Sequence, residues 1–198
     1  MLHRIFIAIS LPDKVKKELI REQDRITVMF SSKCPISWTR KENLHITVSF
    51  LGSVSNDDLV DILKVTGEVA DRHNSFDLSL KTISYGPHEP TPTQVPRMIW
   101  VSGEKSVDLA SLRDDLENSI SSEKRIDLSK GERTLSPHVT LGRVMAWEFK
   151  AIDTEERPDI NRNVSLDLGV GSIDVMESEL KRAGARYNLL GSFPLTPK

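Results

Sequence analysis

The sequence predicts an α+β protein built as two lobes, with antiparallel or mixed sheets and helices on the outside. Two observations carry that expectation. Short alternating or fully apolar runs, read as strands, are interspersed with longer runs whose apolar residues recur at helical spacing. The order strand, helix, loop, strand then occurs twice: "RIFIAIS" opens one copy at Arg4, "RMIWVSG" opens the other at Arg97, and each copy closes on a His-x-Thr strand. Arg4 and His45 are 41 positions apart, as are Arg97 and His138 (45 − 4 and 138 − 97). The chain is therefore read as a single bilobal domain over 1–198, an imperfect internal duplication of about 1–85 and 97–198 joined by a proline-rich connector at 86–96.

In the first strand Ile5, Ile7 and Ile9 alternate with Phe6 and Ala8, so both faces are expected to be covered. Pro12 suits the first turn of a helix running to about Val28, with Val15, Leu19 and Ile26 as its apolar stripe. The "SSKCPIS" loop leads to the strand holding His45. After Gly52, Ser55 caps a helix with Asp58 three residues on and a stripe of Leu59, Ile62, Leu63, Thr66 and Val69. A strand follows from Phe76. In the second copy Leu109, Leu112, Leu116 and Ile120 form the helix stripe. The segment after His138, "MAWEFKAIDTEERPDI", is shorter and less regular than its counterpart, and strand-like "VSLDLGVGSIDVMESEL" and "GARYNLLGSFPL" close the chain.

With 198 residues the chain can bury a sizeable core. A formal net charge of −2 with 28% charged residues excludes an overall basic surface for sequence-independent nucleic-acid binding, so an anionic substrate must be attracted locally. The lone Cys34 excludes an intramolecular disulfide framework and a multi-cysteine metal site, and is read as structural or incidental. No run approaches a membrane span, and the opening apolar run is short and broken by Pro12. A cytoplasmic monomer without membrane partner, metal or cofactor is expected.

Side chains two apart on a strand share a face, so His45 pairs with Thr47 against Ile46, Val48 and Phe50, which read as core. The same parity joins His138 and Thr140 against Val139 and Leu141. Packing the lobes pseudo-symmetrically brings both sets together across a groove. Two imidazoles facing across a phosphate supply the base and the acid that an in-line displacement at phosphorus needs. Threonine hydroxyls can donate to the non-bridging oxygens. No metal is required, and a 2',3'-cyclic phosphate is a natural substrate.

Together with "RIFIAISLP", "RMIWVSGE" and "GARYNLLGSFPL", the stretches "NLHITVSFLG" and "SPHVTLGR" resemble the two-histidine phosphoesterases, closest to the RNA 2',3'-cyclic phosphodiesterase branch, also named 2'-5' RNA ligase. The resemblance implies a bilobal fold with a pseudo-two-fold axis and both motifs lining a central groove. It also implies metal-independent opening of a terminal 2',3'-cyclic phosphate to a 2'-phosphate. It carries the catalytic roles to His45 and His138, the phosphate-side hydroxyls to Thr47 and Thr140, and a phosphate contact to Arg143. Strict alternation puts Arg143 on the face away from His138; a bulge or strand end at Gly142 would re-aim it.

Trp38, seven residues before His45, is a candidate to stack on a nucleobase, with packing at a lobe edge as the alternative. Tyr85 and Tyr187 are weaker candidates of the same kind. Arg40, Lys41, Lys130 and Arg133 flank the motifs and either line an RNA entry route or are scattered surface cations. His3, His73 and His88 lack such context and read as solvent-exposed. Competing functions are 2'-5' RNA ligation, cleavage of 2'-5' linked oligonucleotides or trimming of RNA 3' ends, hydrolysis of a small cyclic phosphodiester, and RNA binding without catalysis.

Overall fold

The structure, a computed structural model, describes every residue except 1, 32, 88, 92–93, 125–135 and 182–183, and describes the backbone alone at 123–124 and 180–181. Strand β1 (His3–Ser10) is buried from Ile5 through Ile9, as expected of a strand covered on both faces. Pro12 stands just before helix α1 (Asp13–Thr27), which buries Val15, Leu19 and Ile26 together with the polar Glu22 and Gln23. A short β2 (Ile36–Trp38) emerges from the segment expected to be loop, followed by β3 (His45–Val54). Helix α2 (Asn56–Ala70) starts where Ser55 Oγ accepts from the Asp58 amide at 3.2 Å, a cap that stabilises the helix by about 1 kcal/mol.

The rest follows the expected order: β4 (Phe76–Gly86), β5 (Met98–Gly103), α3 (Val107–Lys124), β6 (His138–Val144), the five-residue α4 (Ala146–Lys150), β7 (Asn161–Val170), β8 (Ser172–Lys181) and β9 (Gly184–Pro194). All four stripe residues of α3, Leu109, Leu112, Leu116 and Ile120, are buried. Each contributes about 1.5–3 kcal/mol of hydrophobic stabilisation.

The strands form two antiparallel sheets, ordered β3-β1-β8-β9 and β2-β6-β5-β4-β7. Their membership cuts across the sequence halves. Strands β2 and β4 come from the first half but join the second sheet, whereas β8 and β9 come from the second half and complete the first. Helices cross over as well: α1 leaves β1 yet packs against β7, and α3 leaves β5 yet packs against β3 and α2. One apolar core runs through both sheets. No helix among the described residues is long and apolar enough to cross a membrane.

Two histidines read as solvent-exposed are instead engaged in side-chain pairs. His3 Nδ1 meets Glu177 Oε1 at 2.6 Å and its Nε2 meets Asn56 Oδ1 at 2.7 Å, tying β1 to β8 and the start of α2; the Glu177 carboxylate raises the His3 pKa above its ordinary value. His73 Nε2 lies 3.0 Å from Asp115 Oδ2, and Arg72 reaches the same carboxylate from 3.0 Å, joining the end of α2 to α3. Both partners are distant in sequence, which is why local context missed them. His88 lies outside the described residues, as do Lys130 and Arg133.

Candidate active site

Strands β3 and β6 lie against each other where the two sheets meet, and each begins at its histidine. Their pairing registers are alike. Ser10 stands opposite His45 and Ala8 opposite Thr47; Ser102 stands opposite His138 and Trp100 opposite Thr140. By this register Phe6 corresponds to Met98, one position off the equivalence that the equal 41-residue spacing suggests. The connection from β5 to His138 is one residue longer than that from β1 to His45.

Beyond each threonine the register slips by one residue. Between Ala8 opposite Thr47 and Ile7 opposite Ser49, Val48 is the extra residue; between Trp100 opposite Thr140 and Ile99 opposite Gly142, Leu141 is. A bulge of this kind puts two successive residues on one side and reverses the alternation after it. Exposure records the reversal identically in both strands: His45 to Phe50 and His138 to Arg143 each run half-buried, buried, half-buried, buried, buried, exposed. Arg143 therefore lies on the face of His138. Phe50, expected in the core, is 60% exposed on the face of His45, because Val48 and Ser49 both turn inward.

Each bulge is held by a helix from the other half of the sequence. The Leu141 carbonyl accepts from the Thr39 amide at 2.8 Å and from Gln23 Nε2 of α1 at 2.9 Å. In the first strand Ser49 Oγ donates to Glu117 Oε1 of α3 at 2.9 Å. Glu22, beside Gln23 on α1, pairs with Arg25 and, at 2.9 Å, with Arg162 of β7, which anchors the helix over the second sheet. Gly142 is needed where it is: a Cβ there would lie 2.6 Å from Ile36 Cγ2 and 2.8 Å from Trp38 Cε3.

The histidines are set alike. His45 Nδ1 lies 2.7 Å from the Asn43 carbonyl, which accepts its proton and leaves Nε2 to face Thr47 Oγ1 at 3.1 Å. His138 is held by a backbone bond to Ser136, also two residues before it. Burial lowers both pKa values from the ordinary histidine value, the carbonyl bonds acting in the opposite sense. The positive charges of Lys16 and of His138 lower His45 further, so the two imidazoles are near enough for the charge of one to act on the other. Among the described residues, Thr140 Oγ1 makes only a weak 4.0 Å contact with Met98 Sδ.

Of the other predicted residues, Trp38 is half-buried, donates its indole N–H to Thr27 Oγ1 at 2.9 Å, and flanks Gly142. Tyr85 is buried, with its hydroxyl on the Pro158 carbonyl at 3.1 Å and its ring edge-on to Phe149, away from any solvent-facing base. Lys41 pairs with Asp13 at 2.5 Å, and Arg40 is exposed. Tyr187 does reach the site: its ring centroid lies 5.2 Å from His45, edge-on. Residues missed from sequence are Lys16, Phe6, whose ring is 5.0 Å from His45, and Trp100, 5.1 Å from His138. Placing these rings beside the histidines takes the strand register, which the spacing alone sets one residue wrong.

A family model described as LigT like Phosphoesterase matches residues 9–96, which include the first motif. Over 192 residues the chain is 31% identical to a protein of Methanocaldococcus jannaschii named RNA 2',3'-cyclic phosphodiesterase, covering 94% of this chain and 98% of that one. A Thermotoga maritima protein of the same name is 27% identical, covering 94% of this chain and 92% of its own length. A crystal structure from Thermus thermophilus superposes with a TM-score of 0.80 at 25% identity, covering 98% of this chain and 99% of that one. E. coli LigT shares the fold, with a TM-score of 0.72 at 22% identity over 99% of both chains. With likeness of this extent running through both His-x-Thr strands, the chain belongs to the LigT-like family of two-histidine phosphoesterases.

Proposed function

We propose that the protein is an RNA 2',3'-cyclic phosphodiesterase, with His45 and His138 as its acid/base pair. The observation that carries the reading is the matched pair of histidine strands, each with its imidazole fixed through a backbone carbonyl two residues earlier and its bulge aiming the sixth residue into the groove. Full-length relatives named for this activity support it. One imidazole, neutral, takes a proton from water as the oxygen attacks phosphorus. The other, protonated, delivers a proton to the 3' oxygen as its bond to phosphorus breaks, leaving a 2'-phosphate. Thr47, Thr140 and Arg143 donate to the non-bridging oxygens, where charge builds in the transition state.

The reading is tested by incubating the protein with nucleoside and oligonucleotide 2',3'-cyclic phosphates in excess chelator and identifying the product isomer. A 2'-phosphate formed at an undiminished rate is expected. A 3'-phosphate, or activity lost to the chelator, overturns the regiochemistry or the metal-free route.

The lowered histidine pKa values set the pH dependence. The active free enzyme holds one proton across the pair, so kcat/KM is bell-shaped, rising as the doubly protonated form loses a proton and falling as the last proton leaves. Burial moves both limbs down, and repulsion between the two charges moves the acid limb further, placing the optimum on the acid side of the ordinary histidine value of 6.5, with activity falling through neutrality. A bound phosphodiester anion favours the protonated form, so the kcat profile lies at higher pH than that of kcat/KM. An optimum well above neutrality in kcat/KM would contradict this assignment.

A further inference from the structure

The groove face of the first sheet carries a polar cluster that the acid/base chemistry does not use. Ser10 of β1 stands opposite His45, and two positions back Ala8 stands between Thr47 of β3 and Asp174 of β8, with Ser192 of β9 beyond Asp174. Residues directly opposite one another in a sheet share a face, so all of these side chains lie on the side of His45. Asp174 is buried, whereas Ser10 and Ser192 are exposed. The Asp174 carboxylate accepts from Ser10 Oγ at 2.5 Å through Oδ2 and from Ser192 Oγ at 2.6 Å through Oδ1, one serine on each oxygen.

The direction of these bonds decides what the serines can offer. An ionised carboxylate only accepts, and a serine hydroxyl has one proton to give. Both protons are committed to Asp174, so each serine oxygen presents its remaining lone pairs as an acceptor, and among the described residues neither oxygen takes a further side-chain bond. Such a pair of acceptors repels phosphate oxygens and is complementary to a hydroxyl or amino group. It differs in this from Thr47, Thr140 and Arg143, which have protons to give to a phosphate.

The second sheet has no counterpart among the described residues. Ser102, opposite His138 as Ser10 is opposite His45, donates to the Thr82 carbonyl at 3.4 Å. Where small Ala8 stands opposite Thr47, Trp100 stands opposite Thr140, and its indole lies across the sheet over Gly86, at which a Cβ would fall 2.2 Å from Trp100 Cε2. The acceptors are therefore confined to one side of the groove, on strands that lead away from β6. Adjacent strands lie about 4.8 Å apart, which puts the cluster within a nucleotide's length of a phosphate held at His45. On the cyclic phosphodiesterase reading, we infer that Ser10 and Ser192, oriented by Asp174, form an acceptor site for a hydrogen-bond donor of the RNA end, either the 2'-hydroxyl of the nucleotide before the terminal one or the amino group of the terminal base. Asp174 is the positioning residue, fixing which way the serine protons point. A 2'-hydroxyl read in this way would distinguish an RNA strand from a DNA strand.

The test uses three dinucleotides ending in a 2',3'-cyclic phosphate: uridylyl-adenosine, its analogue with 2'-deoxyuridine, and its analogue with a terminal purine riboside, which lacks the amino group of adenine. In the wild type one of the two omissions is expected to raise KM about fivefold with kcat little changed. In the double variant Ser10→Ala/Ser192→Ala the same omission is expected to cost nothing. Asp174→Asn, whose amide nitrogen donates to one serine and releases that hydroxyl's proton, is expected to shrink the discrimination while both serines remain. Discrimination against deoxyuridine assigns the site to the sugar, and discrimination against purine riboside assigns it to the base. A wild type indifferent to both omissions, or discrimination that survives either variant, overturns the site. Calorimetric titration with the 2'-phosphate forms of the same dinucleotides separates the two readings: discrimination in affinity that the double variant loses, in a protein that hydrolyses no cyclic phosphate, would keep the site and reject the reaction. Equal wild-type affinities for all three would reject the site.

Discussion

Alanine at His45, or at His138, is expected to lower kcat on a nucleoside 2',3'-cyclic phosphate by about a hundredfold to ten-thousandfold, with KM little affected. Each substitution removes one of the two proton transfers that the displacement requires. Because the transfers belong to one transition state, the double variant is expected to be scarcely slower than the slower single one. Each single variant is also expected to lose one limb of the pH profile, since one titrating partner is gone. Circular dichroism and a urea midpoint close to wild type would show that the half-buried histidines are not holding the fold together. Retention of near-normal turnover by either variant would dissolve the acid/base pair.

The second large effect is expected at the Leu141 bulge. Arg143→Ala should lower kcat/KM about a hundredfold, and Arg143→Lys should recover only part of that, because a point charge does not reproduce a planar, forked donor. Gly142→Val tests the geometry beneath it. A Cβ at that position falls 2.6 Å from Ile36 Cγ2 and 2.8 Å from Trp38 Cε3, so β2 must shift, at a cost of about 1–3 kcal/mol of stability, read as a lowered urea midpoint. Gln23→Leu removes one of the two donors to the Leu141 carbonyl, leaving the Thr39 amide. It is expected to lower kcat/KM while leaving the pH profile of the histidines in place, the mark of a positioning residue. A profile that shifted with Gln23→Leu would move its influence to the imidazoles instead.

Much of this site is legible in the amino-acid order. The His-x-Thr spacing placed each imidazole and hydroxyl on one strand face, and both faces are as expected. The stripes of α2 and α3 and the strand character of the closing segments were equally plain, because helical and strand periodicities are local properties. The misreadings share a physical origin. Alternation holds only while register holds, and a single extra residue at Val48 or Leu141 reverses every side chain after it. Phe50 was therefore assigned to the core, and Arg143 seemed to point the wrong way. Gly142 gave the only local sign of a bulge, and nothing near Val48 marks the first, whose stabilising partner Glu117 lies on a helix far along the chain. The same distance hid the carboxylates of His3 and His73, and the exchange of β4, β8 and β9 between sheets.

That exchange has a mechanical meaning. Since each sheet is completed by strands from the opposite half, and each bulge is pinned by the opposite half's helix, the two halves of the sequence cannot separate without tearing hydrogen-bonded ladders. Each histidine strand is thus set by both halves of the sequence together, and neither half can build its own side of the site alone.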